Sequence, residues 1–200
     1  MVMSVLLSWS RIATLTIRPQ LFSGDQEGSL GGPTLPVPRM GDRFAVDLTT
    51  TQLGQDAESR QFVAKLFQAT TLDARIPLCA PNAGAIFGAR GAIVDGAGQS
   101  GSSVAVRGMR PWTELLAGNF FHIGHADTFF IYMIAGRIMA DGAGKALVPI
   151  WPMLRFLTVD GETCEFEEPV IAGKLTGFDK GASFSKNRTD PIQFSISERA

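Results

Sequence analysis

A glycine-rich segment in the second half of the chain has residue types and spacing that could serve nucleotide chemistry. Gly96, Gly98 and Gly101 give the pattern G-x-G-x-x-G. In dinucleotide-binding folds this pattern opens a helix whose N-terminal amides hold a pyrophosphate. Here the following residues, Ser103 to Arg107, alternate valines with other residues and therefore predict a strand. The segment also lacks the lysine of a P-loop. We expect a flexible turn between two strands, not a phosphate site.

A pair of histidines is the second candidate. The tetrapeptide His122-Ile123-Gly124-His125 spells the signature of class I aminoacyl-tRNA synthetases. That signature works at a strand-to-helix junction, whereas aromatic and apolar residues at 120–121 and 129–132 predict a strand on each side. We expect a hairpin that turns at His125-Ala126-Asp127, with His122 and His125 near its exposed end. A metal site on His125 and Asp127 would lack further ligands.

Other nucleophile or ligand clusters are absent from the sequence. The serines and threonines form no G-x-S-x-G elbow with triad partners. Cys79 and Cys164 lie outside any C-x-x-C motif, and we interpret both as small buried apolar residues. We therefore expect no catalytic residue, no cofactor and no metal, and a protein that is not an enzyme.

Composition and charge argue against several classes of function. The formal net charge is −1 and 18% of the residues are charged, which gives no electrostatic footprint for nucleic acid or an anionic membrane. No apolar run approaches the ~18 residues of a transmembrane helix, and the first residues lack the pattern of a signal peptide. We expect a soluble protein made in the cytoplasm. A hydrophobic content of 45% with so little charge favours self-association.

The first third of the chain predicts a strand, an arm and a helix. Thr14 to Arg18 alternates as a strand that Pro19 should end. The Gly/Pro-rich residues 23–42 predict an extended arm, which either reaches over a neighbouring subunit or lies as a loop on a monomer. One amphipathic helix is predicted at about 56–69, capped by Asp56. Its apolar face should pack on a sheet and consists of Phe62, Val63, Leu66 and Phe67.

The remainder predicts short strands with frequent turns. Pieces such as Ala85–Phe87 and Ala92–Val94 have strand composition, and Phe44–Leu48 alternates as a strand before the helix. Asp141-Gly142-Ala143-Gly144 predicts a hairpin between residues 137–140 and 146–150. The chain ends on a strand with Ile192, Phe194 and Ile196 on one face.

These elements predict a mainly β fold. We expect an antiparallel β-sandwich or barrel with one amphipathic helix and an extended N-terminal arm. Residues 1–42 would form the N-terminal strand and arm, and residues 43–200 the β domain. A division of that domain into two β subdomains would fall near residues 83–92.

The acidic run from Asp160 to Glu168 has two interpretations. Cys164 and Phe166 should face a core, while Thr163, Glu165 and Glu167 face water. The run is either a solvated strand face or the acidic lining of a channel. Such a lining would keep DNA from adhering as it passes, because like charges repel.

Four segments, in this order, resemble a module of tailed-bacteriophage tail proteins. The segments are Val94–Gly101, Leu116–Gly124, Asp141–Ala146 and Ile150–Arg155. The closing strand Ile192–Ile196 is also similar to the family. Gly41-Asp42-Arg43-Phe44, followed by the predicted helix, resembles the companion half of distal tail and baseplate proteins. The arm, residues 1–42, departs from the pattern and leaves the ring contacts open.

The resemblance implies a structural role. Such a protein would assemble as a ring, expected to be a hexamer, at the tip of the tail tube in the virion. It would join the tube to the baseplate hub or fibres and let DNA pass without sequence-specific binding, and no catalytic residue carries over. The alternative is a carbohydrate-binding β-sandwich module of a tail fibre or cell-surface protein, with Trp112, Tyr132 and Trp151 on an exposed platform. A nucleotide enzyme would require a helix beginning at Gly101 or His125.

Overall fold

The computed structural model describes residues 4–27, 31–37, 39–78 and 86–199. Strands dominate these ranges, which also contain one α-helix, α1 (Ala57–Ala69), and a short 3-10 turn at Trp9–Arg11. The predicted mainly β class with one helix is confirmed. In chain order the strands are β1 (Ser4–Leu6), β2 (Ile12–Gln20), β3 (Gly24–Gln26), β4 (Leu35–Val37), β5 (Arg43–Thr50), β6 (Asp73–Pro77), β7 (Ile93–Val94), β8 (Ser103–Arg107), β9 (Glu114–Leu115), β10 (Phe120–His125), β11 (Thr128–Ile134), β12 (Ile138–Met139), β13 (Ala146–Trp151), β14 (Cys164–Glu165), β15 (Val170–Thr176), β16 (Phe184–Ser185), β17 (Arg188–Thr189) and β18 (Gln193–Glu198).

Two six-stranded sheets form the body of the protein. Sheet I has the order β1-β6-β15-β18-β5-β2, and sheet II has the order β14-β10-β11-β13-β8-β7. Every pairing is antiparallel except that of β1 with β6. Sheet I gathers strands from both ends of the described chain, whereas the strands of sheet II come from residues 93–165. The middle of the sequence is therefore one sheet, inserted between strands of the other.

Sheet II separates two hydrophobic cores. The first core, called cluster I, contains Phe120 and Ile131 together with buried residues of sheet I and α1. The second core, called cluster II, lies on the other side of sheet II and contains their neighbours Phe121 and Tyr132. Successive strand residues point to opposite faces, so β10 and β11 supply both cores. This double burial explains why their sequence is almost continuously apolar.

The helix follows its prediction closely. The Asp56 side chain caps it by accepting the Ser59 N–H at 3.0 Å. Phe62, Val63 and Leu66 are buried, as expected. Phe67 is the exception, because 50% of it is exposed and its ring meets Phe178 only edge-on at 5.1 Å.

Pro19 does not end its strand. β2 runs on to Gln20, and Pro19 pairs with Phe44 of β5. The expected stop is wrong because β2 is the outer strand of sheet I, where a residue without an N–H is tolerated.

The Asp141–Gly144 turn forms, but not as a hairpin. The Asp141 carboxylate accepts the N–H groups of Ala143 and Lys145, both at 2.8 Å. β12, before the turn, pairs with β9, whereas β13, after it, pairs with β8 and β11. The predicted hairpin is therefore wrong, because strands distant in sequence take up the ladders on both sides of the turn.

Two sequence predictions fall at the edge of the described ranges. Cys79 and Ala85 lie outside them, and so does part of the expected division at residues 83–92. Ile86 and Phe87 are described and lie outside any strand, so the strand expected there is wrong for these two residues.

Candidate functional site

The glycine-rich segment Gly96–Gly101 is a turn in which the N–H groups of Gly96, Gly98 and Gln99 have acceptors within the protein. It connects β7 with β8, as predicted. The Gly96 N–H donates to the Asp160 carboxylate at 2.8 Å, and the Gly98 N–H donates to the Thr158 carbonyl at 2.7 Å. A phosphate site needs such amides to point toward an open anion position. Here they bind the neighbouring turn, and Gly101 leads into a strand and not into a helix.

Gln99 fills the centre of this turn, a role that the sequence pattern does not reveal. Its side-chain amide nitrogen donates to the carbonyl oxygens of Asp95 and Gly96, both at 3.0 Å, and of Ala105 at 3.3 Å. Its Oε1 accepts the Ala105 N–H at 2.6 Å. One side chain thus ties the end of β7 to the middle of β8.

Four charged side chains brace the same turn. Arg107 bonds Asp95 at 2.7 Å and Asp160 at 2.6 Å, and Lys145 bonds the second oxygen of Asp95 at 2.8 Å. Hydrogen bonds from Arg107 and from the Gly96 N–H lower the pKa of Asp160 to about 2. Those from Lys145 and Arg107 lower the pKa of Asp95. Because the carboxylates are held ionised by their partners, this cluster suits bracing and not proton transfer.

His122 is buried, contrary to the prediction. Only 6% of it is exposed, because position 122 shares the inward face of β10 with Phe120. Burial lowers the pKa of His122 to about 4, so its ring is neutral at physiological pH. The ring Nδ1 accepts the Val170 N–H of β15 at 3.0 Å. His122 therefore links sheet II to sheet I.

His125 lies at the end of the hairpin, as predicted, but its contacts are structural. The turn residues Ala126 and Asp127 have positive φ angles of 47° and 63°, which suits a two-residue hairpin. The ring of His125 stacks on Phe156 at 4.0 Å, and its Nδ1 bonds the Glu162 carboxylate. His122 and His125 point to opposite faces of β10, so they cannot converge on one ligand.

Metal and thiol chemistry find no support in the described ranges. No group of three His, Cys, Asp or Glu side chains could hold a metal ion there. Cys164 is buried as predicted, and burial raises the pKa of its thiol to about 12. A thiol with so high a pKa is a poor nucleophile at neutral pH.

The acidic run has local partners for several of its members. Cys164 and Phe166 face cluster II, as predicted. Asp160 pairs with Arg107, and a Glu165 oxygen accepts the N–H groups of Glu167 and Glu168 at 3.0 and 3.1 Å. Glu167 is partly exposed and Glu168 is exposed. The ion pair with Arg107 offsets the charge of Asp160, whereas backbone N–H bonds leave the Glu165 carboxylate negative.

The three aromatic residues of the carbohydrate alternative do not form a shared platform. Tyr132 is fully buried. Trp151 is partly buried and packs edge-on against Phe44 at 5.0 Å. Trp112 alone is well exposed, at 67%.

A buried ion pair is the charged feature that the sequence interpretation missed. Arg155 and Glu198 lie 2.7 Å apart with side chains 5% and 1% exposed. The Arg155 guanidinium also lies over the rings of Phe130 at 4.9 Å and Tyr132 at 5.6 Å. Since Arg155 follows the cis-proline segment after β13 and Glu198 ends β18, the pair joins the two sheets.

The arm, in its described residues 21–27, 31–37 and 39–42, lies beyond the end of the β2–β5 ladder. β2 and β5 pair as far as Gln20 and Arg43, and β3 and β4 then pair beyond them. Asp42 anchors the base by accepting the N–H groups of Phe22 and Ser23 at 2.7 and 2.8 Å. Burial acts to raise the pKa of Asp42, but hydrogen bonds from Ser23 and Phe22 lower it below its ordinary value.

The arm also exposes several large apolar side chains. None of its described residues belongs to cluster I or cluster II. Large apolar side chains nevertheless lie in solvent along it. The exposed fractions are 59% for Leu21, 42% for Phe22, 63% for Leu35, 36% for Val37 and 57% for Met40.

Comparison with protein-family models and with curated proteins found no match to this chain. In the described ranges, no helix has the length and apolar character needed to cross a membrane.

Proposed function

We propose that this protein is a structural component of a bacteriophage tail tip. It forms a ring, expected to be a hexamer, that joins the tail tube to the baseplate hub or fibres and leaves a path for DNA. In this role it is not an enzyme and needs no cofactor or metal. It is made in the host cytoplasm and resides at the tail tip of the virion. The observation that carries the proposal is the arm.

Exposing the apolar side chains of the arm to water is unfavourable in free energy unless a partner covers them. Burying apolar surface yields about 25 cal/mol per Å², and an exposed apolar surface of this kind marks a site of protein association. Leu21, Leu35 and Met40 are each more than half exposed. Because the base of the arm is fixed by Asp42 and by Arg43, which lies 4.3 Å above the Phe22 ring, the arm leaves the body in a defined direction. A directed apolar arm suits repeated contact between identical subunits.

The motif-bearing segments support the same proposal. Val94–Gly101, Leu116–Gly124, Asp141–Ala146 and Ile150–Arg155 contribute to sheet II or to the turns that join its strands. Lys145 bonds Asp95 at 2.8 Å, and the Leu154 N–H donates to the Gly101 carbonyl at 2.8 Å, so the first of these segments is bonded to the third and to the fourth. The segments that resemble tail proteins thus behave as one structural unit, which is what a shared module requires.

The acidic run from Asp160 to Glu168 has a role in this proposal. Glu167 and Glu168 follow β14, and both residues are partly or fully exposed. In the ring we assign these two carboxylates to the lumen, where negative charge repels the phosphates of passing DNA within about 8 Å at physiological salt.

The mass of the native particle tests the proposal. Native mass spectrometry and light scattering should give a closed ring near six chains, and negative-stain images should show an open centre. Leu21→Asp combined with Leu35→Asp should reduce the ring to smaller species, because charge on the arm opposes burial. Leu157→Asp is the matched control, since Leu157 is 64% exposed and lies outside the arm. A wild-type chain that stays single at high concentration, or a control that breaks the ring equally, would contradict the proposal.

A further inference from the structure

We propose that the arm of one copy docks on an aromatic patch of the next copy in the ring. The aromatic patch consists of Phe87, Arg90, Arg110, Pro111 and Trp112, which are all exposed. This inference rests on the ring proposed above and names the contact that would close it.

Backbone bonds bring the two segments of the patch together. The Gly88 carbonyl accepts the Arg110 N–H at 2.7 Å and the Thr113 hydroxyl at 3.2 Å. The flanking aromatic residues are left in solvent, with Phe87 82% and Trp112 67% exposed. Two exposed aromatic side chains beside arginine form the residue combination that dominates protein interfaces.

Trp112 is held in an unusual backbone conformation. Its φ is +62°, in the left-handed region that bulky side chains rarely adopt. Its indole lies over the Asp141–Gly144 turn, where a Cβ on Gly142 would be 3.5 Å from the ring. Backbone strain of this kind clusters at ligand clamps and other functional sites. The fold thus orients a large apolar side chain outward.

The charges of the patch and the arm are complementary. Arg90 and Arg110 are exposed, and among the described residues no ion-pair partner is recorded for either guanidinium. The outer part of the arm carries Asp25 and Glu27, also exposed. Its one described basic residue, Arg39, lies at the base. Docking the outer arm on the patch would therefore pair unlike charges around an apolar centre, as electrostatic complementarity requires.

The two surfaces lie at opposite ends of β13. Its last residue, Trp151, contacts Phe44 beside the arm base. Its first residue, Ala146, follows the turn beneath Trp112. The five residue steps of the strand separate these ends by about 17 Å. Two different surfaces about one strand length apart make a head-to-tail contact, which closes into a ring when the rotation between successive copies closes.

A mixing experiment tests the pairing directly. The arm variant is Leu21→Asp with Leu35→Asp. The patch variant is Trp112→Asp, because aspartate tolerates the left-handed conformation. Each variant alone should weaken assembly about tenfold or more. Mixed together, they should form one-to-one pairs and no ring, since only one intact arm and one intact patch can meet. Phe184→Asp, at a residue 68% exposed, should assemble as the wild type.

Charge reversal separates docking from a merely structural effect. Arg90→Glu with Arg110→Glu should weaken the ring, and adding Asp25→Arg and Glu27→Arg in the same chain should restore it. The restored ring should also lose stability as salt rises, because these charges lie at the surface.

The outcomes distinguish this inference from the ring proposal. If the arm variant breaks the ring while Trp112→Asp leaves its mass unchanged, the ring stands and the patch is not the docking site. The same conclusion follows if charge reversal on the arm does not rescue the patch variant, or if the patch instead binds a glycan or another protein without affecting assembly. A wild-type chain that stays monomeric overturns both proposals.

Discussion

Glu198, the last residue of β18, pairs with Arg155, and its carboxylate connects the two sheets. Its Oε1 accepts the Ile131 N–H of β11, and its Oε2 accepts the Phe44 N–H of β5, each at 2.9 Å. Arg155 bonds the same Oε1 at 2.7 Å. Burial raises the pKa of Glu198, and the guanidinium beside it opposes that effect. Sheet I and sheet II are therefore joined by a polar link inside an otherwise apolar interface.

Glu198→Gln should strongly destabilise the fold. The amide keeps the shape of the side chain but leaves Arg155 as an uncompensated buried charge, and breaking a buried pair costs about 3–5 kcal/mol. Urea unfolding at one fixed protein concentration measures the loss. Glu167→Gln is the control, since this partly exposed residue should change stability by less than about 0.5 kcal/mol.

The double variant Arg155→Met with Glu198→Gln sharpens this prediction. It removes the unpaired guanidinium and keeps the amide oxygen as an acceptor for one of the two backbone N–H groups, so the double variant should be more stable than Glu198→Gln alone. A Glu198→Gln protein as stable as the wild type would show that the link does not hold the sheets together.

His122 should make stability depend on pH. Its folded pKa of about 4 lies below its ordinary value of 6.5, so the unfolded chain binds a proton where the folded chain does not. Stability is therefore fully present above about pH 6.5 and falls as the pH drops toward 4, by about 3 kcal/mol in total. His122→Asn keeps an acceptor for the Val170 N–H and does not titrate. Urea unfolding from pH 7 to pH 4 should show a shallower slope for the variant, and equal slopes would contradict the assignment.

The sequence predicts the strands and the helix better than it predicts which of their polar side chains are buried. Alternation identified Ile192, Phe194 and Ile196 as one buried face of the final strand. The same alternation continues to Glu198, so the signal for its burial was present two residues further on. Likewise, His122 shares a face with Phe120. Sequence patterns place a polar side chain in water unless its partner is known, so neither the burial of Glu198 nor that of His122 is predicted.

Pairing between distant strands could not be read from the local pattern. The sequence pattern at residues 137–140 and 146–150 predicts the two strands of a hairpin. In the structure, β12 pairs with β9, and β13 pairs with β8 and β11. Turn residues determine where the chain bends. Which strands then pair depends on which distant strands bury the same faces. The arm shows the same limit, because its Gly/Pro content predicted an extended arm or a loop, whereas Gly24–Gln26 and Leu35–Val37 pair as the strands β3 and β4.

Gln99→Ala should loosen the glycine-rich turn. The substitution removes the acceptor of the Ala105 N–H and a donor shared among three carbonyls. Leaving these backbone groups unpaired should cost about 1–3 kcal/mol. Hydrogen exchange should also speed up at the Ala105 amide. Gln61→Ala, on the exposed side of α1, is the matched control and should be nearly neutral. Unchanged exchange at Ala105 would rule out the bracing role.

Gly173→Ala should be severely destabilising although its backbone is unstrained. Gly173 lies opposite Glu198 in the β15–β18 ladder, and a Cβ there would come within 2.0 Å of the Ser197 carbonyl oxygen. Because backbone cannot rotate away as a side chain can, β18 must shift, and overpacking of this kind costs about 1–3 kcal/mol or more. The shift would also move the Glu198 carboxylate away from Arg155.

The control for this substitution is Gly24→Ala, because a Cβ at Gly24 would meet nothing within 4 Å. Urea unfolding should give a lower midpoint for Gly173→Ala and an unchanged one for Gly24→Ala. Combining Gly173→Ala with Glu198→Gln should cost less than the sum of the two, since both act on the same link between β18 and sheet II. Strict additivity would mean that the close approach at Gly173 and the buried carboxylate stabilise the sheets independently.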